Sequence, residues 1–321
     1  MTFTHRLLSN GALAAAAAML LAGCSSTAMQ AAPSSAGSAL SRSWMAPDAK
    51  KNNLLYVSDL GTNDVYVYSY PKGKLEGTLT GFSAVHDSCV DASGDVFITS
   101  AHNSKIFEYA HGGTSPIATL DDGSYAPVGC SIDPTSGNLA VANLSPVEGS
   151  DSGNVAIYTG AQGTPAYSSD PSIFLYYDCA YDSSGNLYVT GSTAQGIFKF
   201  GELPSGSSSF TNITLNQQIN VPGGVQWDGT YVAVEDQGAG YHGSTIYQFS
   251  ISGTTGTKEG TTSLGGSSDV LKFWIDKKRV IGANIGSAPS VLYWQYPAGG
   301  TETKTITGFT EPSGVSVSRG E

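Results

Sequence analysis

Asp59, Asn143, Glu235 and Asn284, with Ser100 and Gly191 completing the series, fall at matching places in a degenerate repeat, each at the end of an apolar run. A second set stands at the start of the partner runs: His86 and Asp87, Tyr177 and Asp178, and Lys272. Oxygen ligands gathered about one axis suit calcium or another hard cation. Carboxylates crowded without a counter-ion repel one another and hold protons to higher pH. The same residue types also end strands for a local reason, because an Asp or Asn side chain accepts hydrogen bonds from the backbone of its own turn. Asp87 and Asp178 stand apart from that explanation, since the other copies have Gly at this register or, once, Lys272. The candidate ligand-binding set is therefore Asp59, His86, Asp87, Asn143, Asp178, Glu235 and Asn284.

Bringing such residues around an axis requires repeated strands, and the chain supplies them. The repeated phrase is an apolar run, an Asp, a Gly turn and a second apolar run ending in a polar residue. It reads Cys89-Val-Asp91-Ala-Ser-Gly94, Cys130-Ser-Ile-Asp133-Pro-Thr-Ser-Gly137, Cys179-Ala-Tyr-Asp182-Ser-Ser-Gly185 and Val225-Gln-Trp-Asp228-Gly229; a fifth copy, Phe273-Trp-Ile-Asp276, lacks the Gly. The aspartates lie 42, 49, 46 and 48 residues apart, the spacing of a four-stranded propeller blade. A third run ending in an aromatic residue recurs at Tyr68, Tyr109, Tyr158, Phe200, Phe249 and Trp294, which predicts six blades. Outer strands are expected over 74–79, 116–120, 210–215 and 303–306, where polar sequence is tolerated at an edge.

The first unit begins at Leu54 with no innermost strand, and Pro312-Ser-Gly-Val315 repeats the phrase Pro222-Gly-Gly-Val225. The expected fold is thus all-β: a six-bladed β-propeller over 54–321, with blade one closed by the C-terminal strand. Closure of this kind removes open sheet edges.

Composition points the same way. Charged residues make up 13% of the chain, aromatics 10%, and there are 40 glycines, which gives a surface of hydroxyls and turns and side chains suited to a half-buried pleat. A net charge of −11 speaks against nucleic acid as a partner. The one basic run, Lys277-Lys278-Arg279, falls where a hairpin turn is expected.

Residues 7–22 form an Ala-rich apolar stretch behind His5 and Arg6, and residues 1–23 read as a secretory signal peptide rather than a membrane span. Residues 24–53, rich in Ser, Ala, Pro and Gly, read as a flexible tether. Leu21-Ala22-Gly23-Cys24 resembles the bacterial lipobox, which implies cleavage before Cys24 and lipidation of its sulfur. Several acyl chains then give stable anchoring. Ser25 in the next position implies the outer membrane in a double-membrane cell.

Three further cysteines remain. Cys130 and Cys179 share a register, three before their Asp, whereas Cys89 lies two before its own and points to the opposite strand face. Buried thiols are the expected state, with a Cys130–Cys179 bridge as the alternative.

The string Asp182-Ser-Ser-Gly185-Asn-Leu-Tyr-Val189, followed by Ile197-Phe-Lys-Phe200, resembles the NHL repeat, and residues 54–318 are similar to NHL or SMP-30-like six-bladed propellers. The SMP-30 and gluconolactonase resemblance implies a divalent metal at the channel mouth held by a Glu, two Asn and an Asp. Glu235, Asn143, Asn284 and Asp59 offer those types. The related virginiamycin B lyase propellers imply a His with paired acids, for which His86 is the candidate. One fold hosts many functions. The reading is an envelope binding or scaffold module taking a small polar ligand, a protein or a glycan, with a metal-dependent lactonase or lyase as the alternative. Zinc, nucleophile-elbow and phosphate-loop motifs do not occur, which does not exclude an enzyme; Gly and Ser at many mouth positions, without a base and orienter pair, favour binding.

Overall fold

A computed structural model describes residues 42–238 and 243–320. The signal segment, Cys24, the first part of the tether and His242 lie outside these residues. The described chain is almost wholly β and forms six sheets, the blades of a propeller. From blade one to blade six, the innermost strands are Pro312–Ser318, Val85–Val90, Tyr125–Ile132, Leu175–Tyr181, Pro222–Trp227 and Val270–Asp276. Pro312–Ser318 pairs antiparallel with Leu54–Asp59, from Leu54↔Ser318 to Val57↔Val315, so the C terminus closes blade one as expected.

A blade has a neighbour on either side, so its second strand is covered on both faces and reads as an unbroken apolar run. Leu54–Asp59 and Leu187–Ser192 are buried at every residue. Apolar clusters fill the gaps between blades. Phe97 and Leu120 of blade two meet Leu139 and Val141 of blade three. Leu55, Val57 and Val315 of blade one meet Ile281 and Tyr293 of blade six across the closure. Each fully buried aliphatic side chain contributes roughly 1.5–3 kcal/mol. The third-strand aromatics Tyr68, Tyr109, Tyr158, Phe200, Phe249 and Trp294 are all buried in these gaps.

The repeated Asp is a turn device. Asp182 Oδ1 accepts hydrogen bonds from the N–H of Ser184 (2.8 Å) and Asn186 (3.0 Å), and Gly185 takes the left-handed conformation at φ +80°. In blade six the two-residue turn passes through Lys277 at φ +57° instead, so the basic run does lie in a hairpin turn. Asp276 is thereby released to accept a 2.6 Å hydrogen bond from the Tyr70 hydroxyl of blade one.

Three expectations are corrected. Structure begins earlier than Leu54: Trp44–Met45 adds a fifth strand to blade one through Trp44↔Thr78 and Met45↔Gly77, and Ala49–Lys51 forms a 3-10 turn. The outer strand expected over 210–215 is split. Thr211–Asn212 stays on blade four, while Thr214–Leu215 pairs parallel with blade five, because Ile213 and Leu215 join the apolar cluster between the two blades.

The third correction concerns the cysteines: Cys89 and Cys130 form a disulfide (Cα–Cα 5.6 Å), and Cys179 is free and buried. Cys89 pairs with Phe97 on its second strand and Cys130 with Val141, so the two do sit on opposite faces of their strands. Opposite faces are what adjacent blades turn toward each other, whereas Cys130 and Cys179, at one register, both face backwards around the ring. The equivalent pair between blades one and two is Ser316 and Ser88, whose hydroxyls lie 2.6 Å apart.

Candidate functional site

The ends of the second strands hold the connections between blades. Asp59 Oδ1 accepts from the N–H of Gly61 (3.0 Å) and Glu311 (2.8 Å), and Oδ2 from Thr310 N–H (2.8 Å). Asn284 Oδ1 accepts from Ser268 N–H (2.8 Å) and Asp269 N–H (3.2 Å). Each carbonyl or carboxylate thus grips the segment leading into its blade's innermost strand. Asn143 donates from Nδ2 to Asn154 Oδ1 (2.9 Å).

In blade five the residue at this register is Asp236, which pairs with Thr245 as Asn284 pairs with Ser290 and Asp59 with Asp64. Asp236 accepts from the N–H groups of Asn220, Val221 and Gly238, each at 3.0 Å. Glu235, placed here by the repeat alignment, lies one residue earlier, at the register of Thr99 and Thr190. Val234 faces blade four, so Glu235 shares the face of Ala233, which packs toward Val270 and Phe273 of blade six.

A different set converges on the axis. In all six innermost strands the pairing register breaks near the point where the strand starts, and a bulge of this kind re-aims side chains. The residues so aimed are, blade by blade, Gly314, Asp87, Gly129, Asp178, Gly224 and Lys272. Charge and glycine alternate around the ring. Lys272 Nζ is 3.0 Å from Asp178 Oδ1 and also donates to the carbonyl of Tyr177, while Asp178 Oδ2 accepts from Val225 N–H at 2.9 Å.

The glycines are sterically required. A Cβ on Gly129 would lie 2.4 Å from Asp178 Oδ1, and one on Gly314 would lie 2.6 Å from Asp87 Oδ1.

Asp87, Asp178 and Lys272 are all more than nine-tenths buried. Burial pushes the Asp87 carboxyl up to about 7, with Lys272 pulling it down and Asp178 pushing it further up. Burial also raises Asp178, against the opposing pull of Lys272. It raises Glu235 well above the ordinary range, against the opposing pull of hydrogen bonds from Gly224 N–H, 3.3 Å from its Oε2, and from Ser244. His86 is pushed down to about 4 by burial and then by Lys272 and His102, and so stays neutral.

This charged layer divides the channel. The front mouth, where the innermost strands begin, is a cavity of about 220 Å³ walled by His86, Val128, Tyr177, Gly223, Leu271 and Ser313, one residue from each blade at one register, with Leu144, Pro222 and Gln237 beside them, and floored by Lys272. The rear cavity, also about 220 Å³, has Asp87 and Asp178 at its inner end and Tyr181, Trp227 and Trp274 in its walls.

Of the expected site residues, the structure brings His86, Asp87, Asp178 and Glu235 together about Lys272. It leaves Asp59, Asn143 and Asn284 in their own blade connections. Among the described residues, no group of three or more His, Cys, Asp or Glu side chains is arranged to hold a metal ion. The rear aromatics escaped the sequence reading because an aromatic in a β run reads as core.

No protein-family profile matches the sequence, and no curated protein matches it. The fold is similar to solved structures. A chain from a nidogen/laminin complex has TM-score 0.66 at 15% identity, covering 84% of this chain and 100% of that one. A protein of unknown function from Bacteroides caccae has TM-score 0.63 at 11% identity, with 84% and 99% covered. At these identities the likeness establishes the fold alone.

Proposed function

We propose that this chain is a cell-envelope lipoprotein anchored through Cys24, and that its NHL-like propeller is a binding or scaffold module taking a small polar ligand, or part of an envelope protein or glycan, at the front mouth. One observation carries the reading. The six residues, one from each blade, that stand at one register in the front mouth are of six different types over a buried ammonium group. A ring needed only to close the fold has no reason to differ in every blade, whereas a single asymmetric ligand gives one. The wall mixes apolar Val128 and Leu271 with hydrogen-bonding His86, Tyr177 and Ser313, the usual make-up of a small-molecule pocket.

Two further facts support the reading. The Cys89–Cys130 disulfide fits the oxidising compartment that export implies. A propeller of similar fold was solved within a nidogen/laminin complex, which supports a scaffold role.

The test is photo-cross-linking in the host envelope, with p-benzoylphenylalanine in place of Leu144 at the front mouth and, as control, in place of exposed Glu259 on the outer strand of blade five. A discrete adduct from position 144 alone is expected, and the protein should leave the membrane fraction in Cys24→Ser. Identical adducts from both positions, or none from 144, would contradict the binding reading; wild type already in the soluble fraction would contradict the anchor.

A further inference from the structure

The rear cavity lies on the other side of the charged layer and owes nothing to the front-mouth ligand. Its inner end holds two carboxylates, Asp87 and Asp178, against one ammonium, Lys272. Lys272 is committed to Asp178 at 3.0 Å and to the Tyr177 carbonyl, so the second carboxylate has no cation of its own. The walls toward the opening are aromatic. Trp227 and Trp274 are half-buried and Tyr181 is nearly buried. A chamber with a carboxylate that has no cation of its own at its base and aromatic side chains in its walls is complementary to a positive charge with an apolar coat. The faces of indole and phenol rings attract such a cation, and low-dielectric surroundings strengthen its attraction to the carboxylate. A bare metal ion would lack the ring of oxygen ligands it needs.

We infer that the rear cavity binds a small alkylated ammonium compound, its cationic head beside Trp227, Trp274 and Tyr181 and turned toward Asp87. The protonation of the layer agrees with this. Asp87, held up to about 7, takes a proton near neutrality for want of another cation, and a bound ammonium replaces that proton. The groups that face Asp87 are Lys272 from blade six and Asp178 from blade four. His86 adjoins it on its own strand, and Glu235 acts on Lys272 from blade five.

The experiment titrates the purified full chain with choline chloride, followed by calorimetry and tryptophan fluorescence. Parallel titrations use 3,3-dimethylbutan-1-ol, the uncharged carbon isostere of choline, and sodium chloride for ionic strength. Choline is expected to bind at least about tenfold more tightly than the alcohol. Because Asp87 must lose its proton first, binding should be about tenfold weaker at pH 6 than at pH 8. Asp87→Asn should weaken binding by more than about tenfold and abolish the pH dependence, and Trp274→Leu should weaken it about fivefold or more. Leu144→Trp, which fills the front mouth, should leave choline binding unchanged, so a failure at one mouth is distinguishable from a failure at the other. Should Asp87→Asn not fold, the pH series and Trp274→Leu decide. Equal binding of the alcohol, no saturable binding below about 50 mM, or loss of binding in Leu144→Trp would overturn the inference.

Discussion

Asp59 and Asp236 are as thoroughly buried as Asp87 and Asp178, and all four lie near the front end of the channel, yet they are held very differently. Asp59 and Asp236 are each ringed by three backbone N–H donors from the segment entering their blade's innermost strand or their own turn. Such a carboxylate is fully engaged and has nothing left for a ligand. Asp178 instead is held by Lys272 and the N–H of Val225, and Asp87 lies beside that pair, between glycines that leave room for their side chains. Position at a channel mouth therefore does not mark a binding residue. A buried carboxyl raised to near neutrality, as at Asp87, does.

The largest way to break this comparison is to remove the strand on which both sets depend. Deleting residues 312–321 takes Gly314 from the axis and exposes Leu55 and Val57 along blade one. The loss should amount to several kcal/mol, with aggregation, read by thermal denaturation and light scattering. An unchanged melting temperature would refute ring closure.

Next comes the Cys89–Cys130 link, which ties the strand bearing Asp87 to the strand bearing Gly129. Replacing both cysteines by Ser should cost about 2–5 kcal/mol in denaturant unfolding. Less than about 0.5 kcal/mol would mean that the two strands need no tie.

The third contrast sets the two kinds of acid against each other. Asp59→Ala strands the N–H groups of Gly61, Thr310 and Glu311 and should cost about 3 kcal/mol. Asp87→Asn should act through pH instead. A carboxyl raised from its ordinary 3.8 to about 7 holds its proton more tightly in the folded state than in the unfolded one. Its contribution is greatest below pH 4, declines as pH rises through 7, and is flat above. The variant should therefore lose this decline and match or exceed wild-type stability at pH 8, by roughly 1–3 kcal/mol. A wild type that grows more stable between pH 5 and pH 7 because of Asp87 would contradict the assignment.

Much of the fold was legible because a blade imposes one pattern many times. The Asp–Gly hairpin, the aromatic third strand and the orphan phrase at Pro312 each repeat or complete a unit, so errors in one copy are corrected by the others. The site was legible only in part. Asp87, Asp178 and Lys272 stood out because they break a register otherwise filled by Gly. Glu235 was placed one residue late because blade five offers two acids in succession, and periodicity alone cannot say which ends the strand. The disulfide was misread for a geometric reason. Face alternation along one strand was applied correctly, but neighbouring blades present opposite faces to each other, a fact of the ring that no single strand contains. The split outer strand of blade four and the strand at Trp44 are edge pairings that rest on packing against neighbours rather than on any local pattern.

The central claim is that Asp87 on the channel axis, unlike the strand-end carboxylates Asp59 and Asp236, is a buried carboxyl held up to near neutrality. Titration of the aspartate carboxyl carbons by NMR, with Asp87→Asn to assign the signal, tests this most directly. The Asp87 resonance should titrate near pH 7 and be absent from the variant. An Asp87 carboxyl that titrates near pH 4, in the ordinary carboxylate range, would contradict the account.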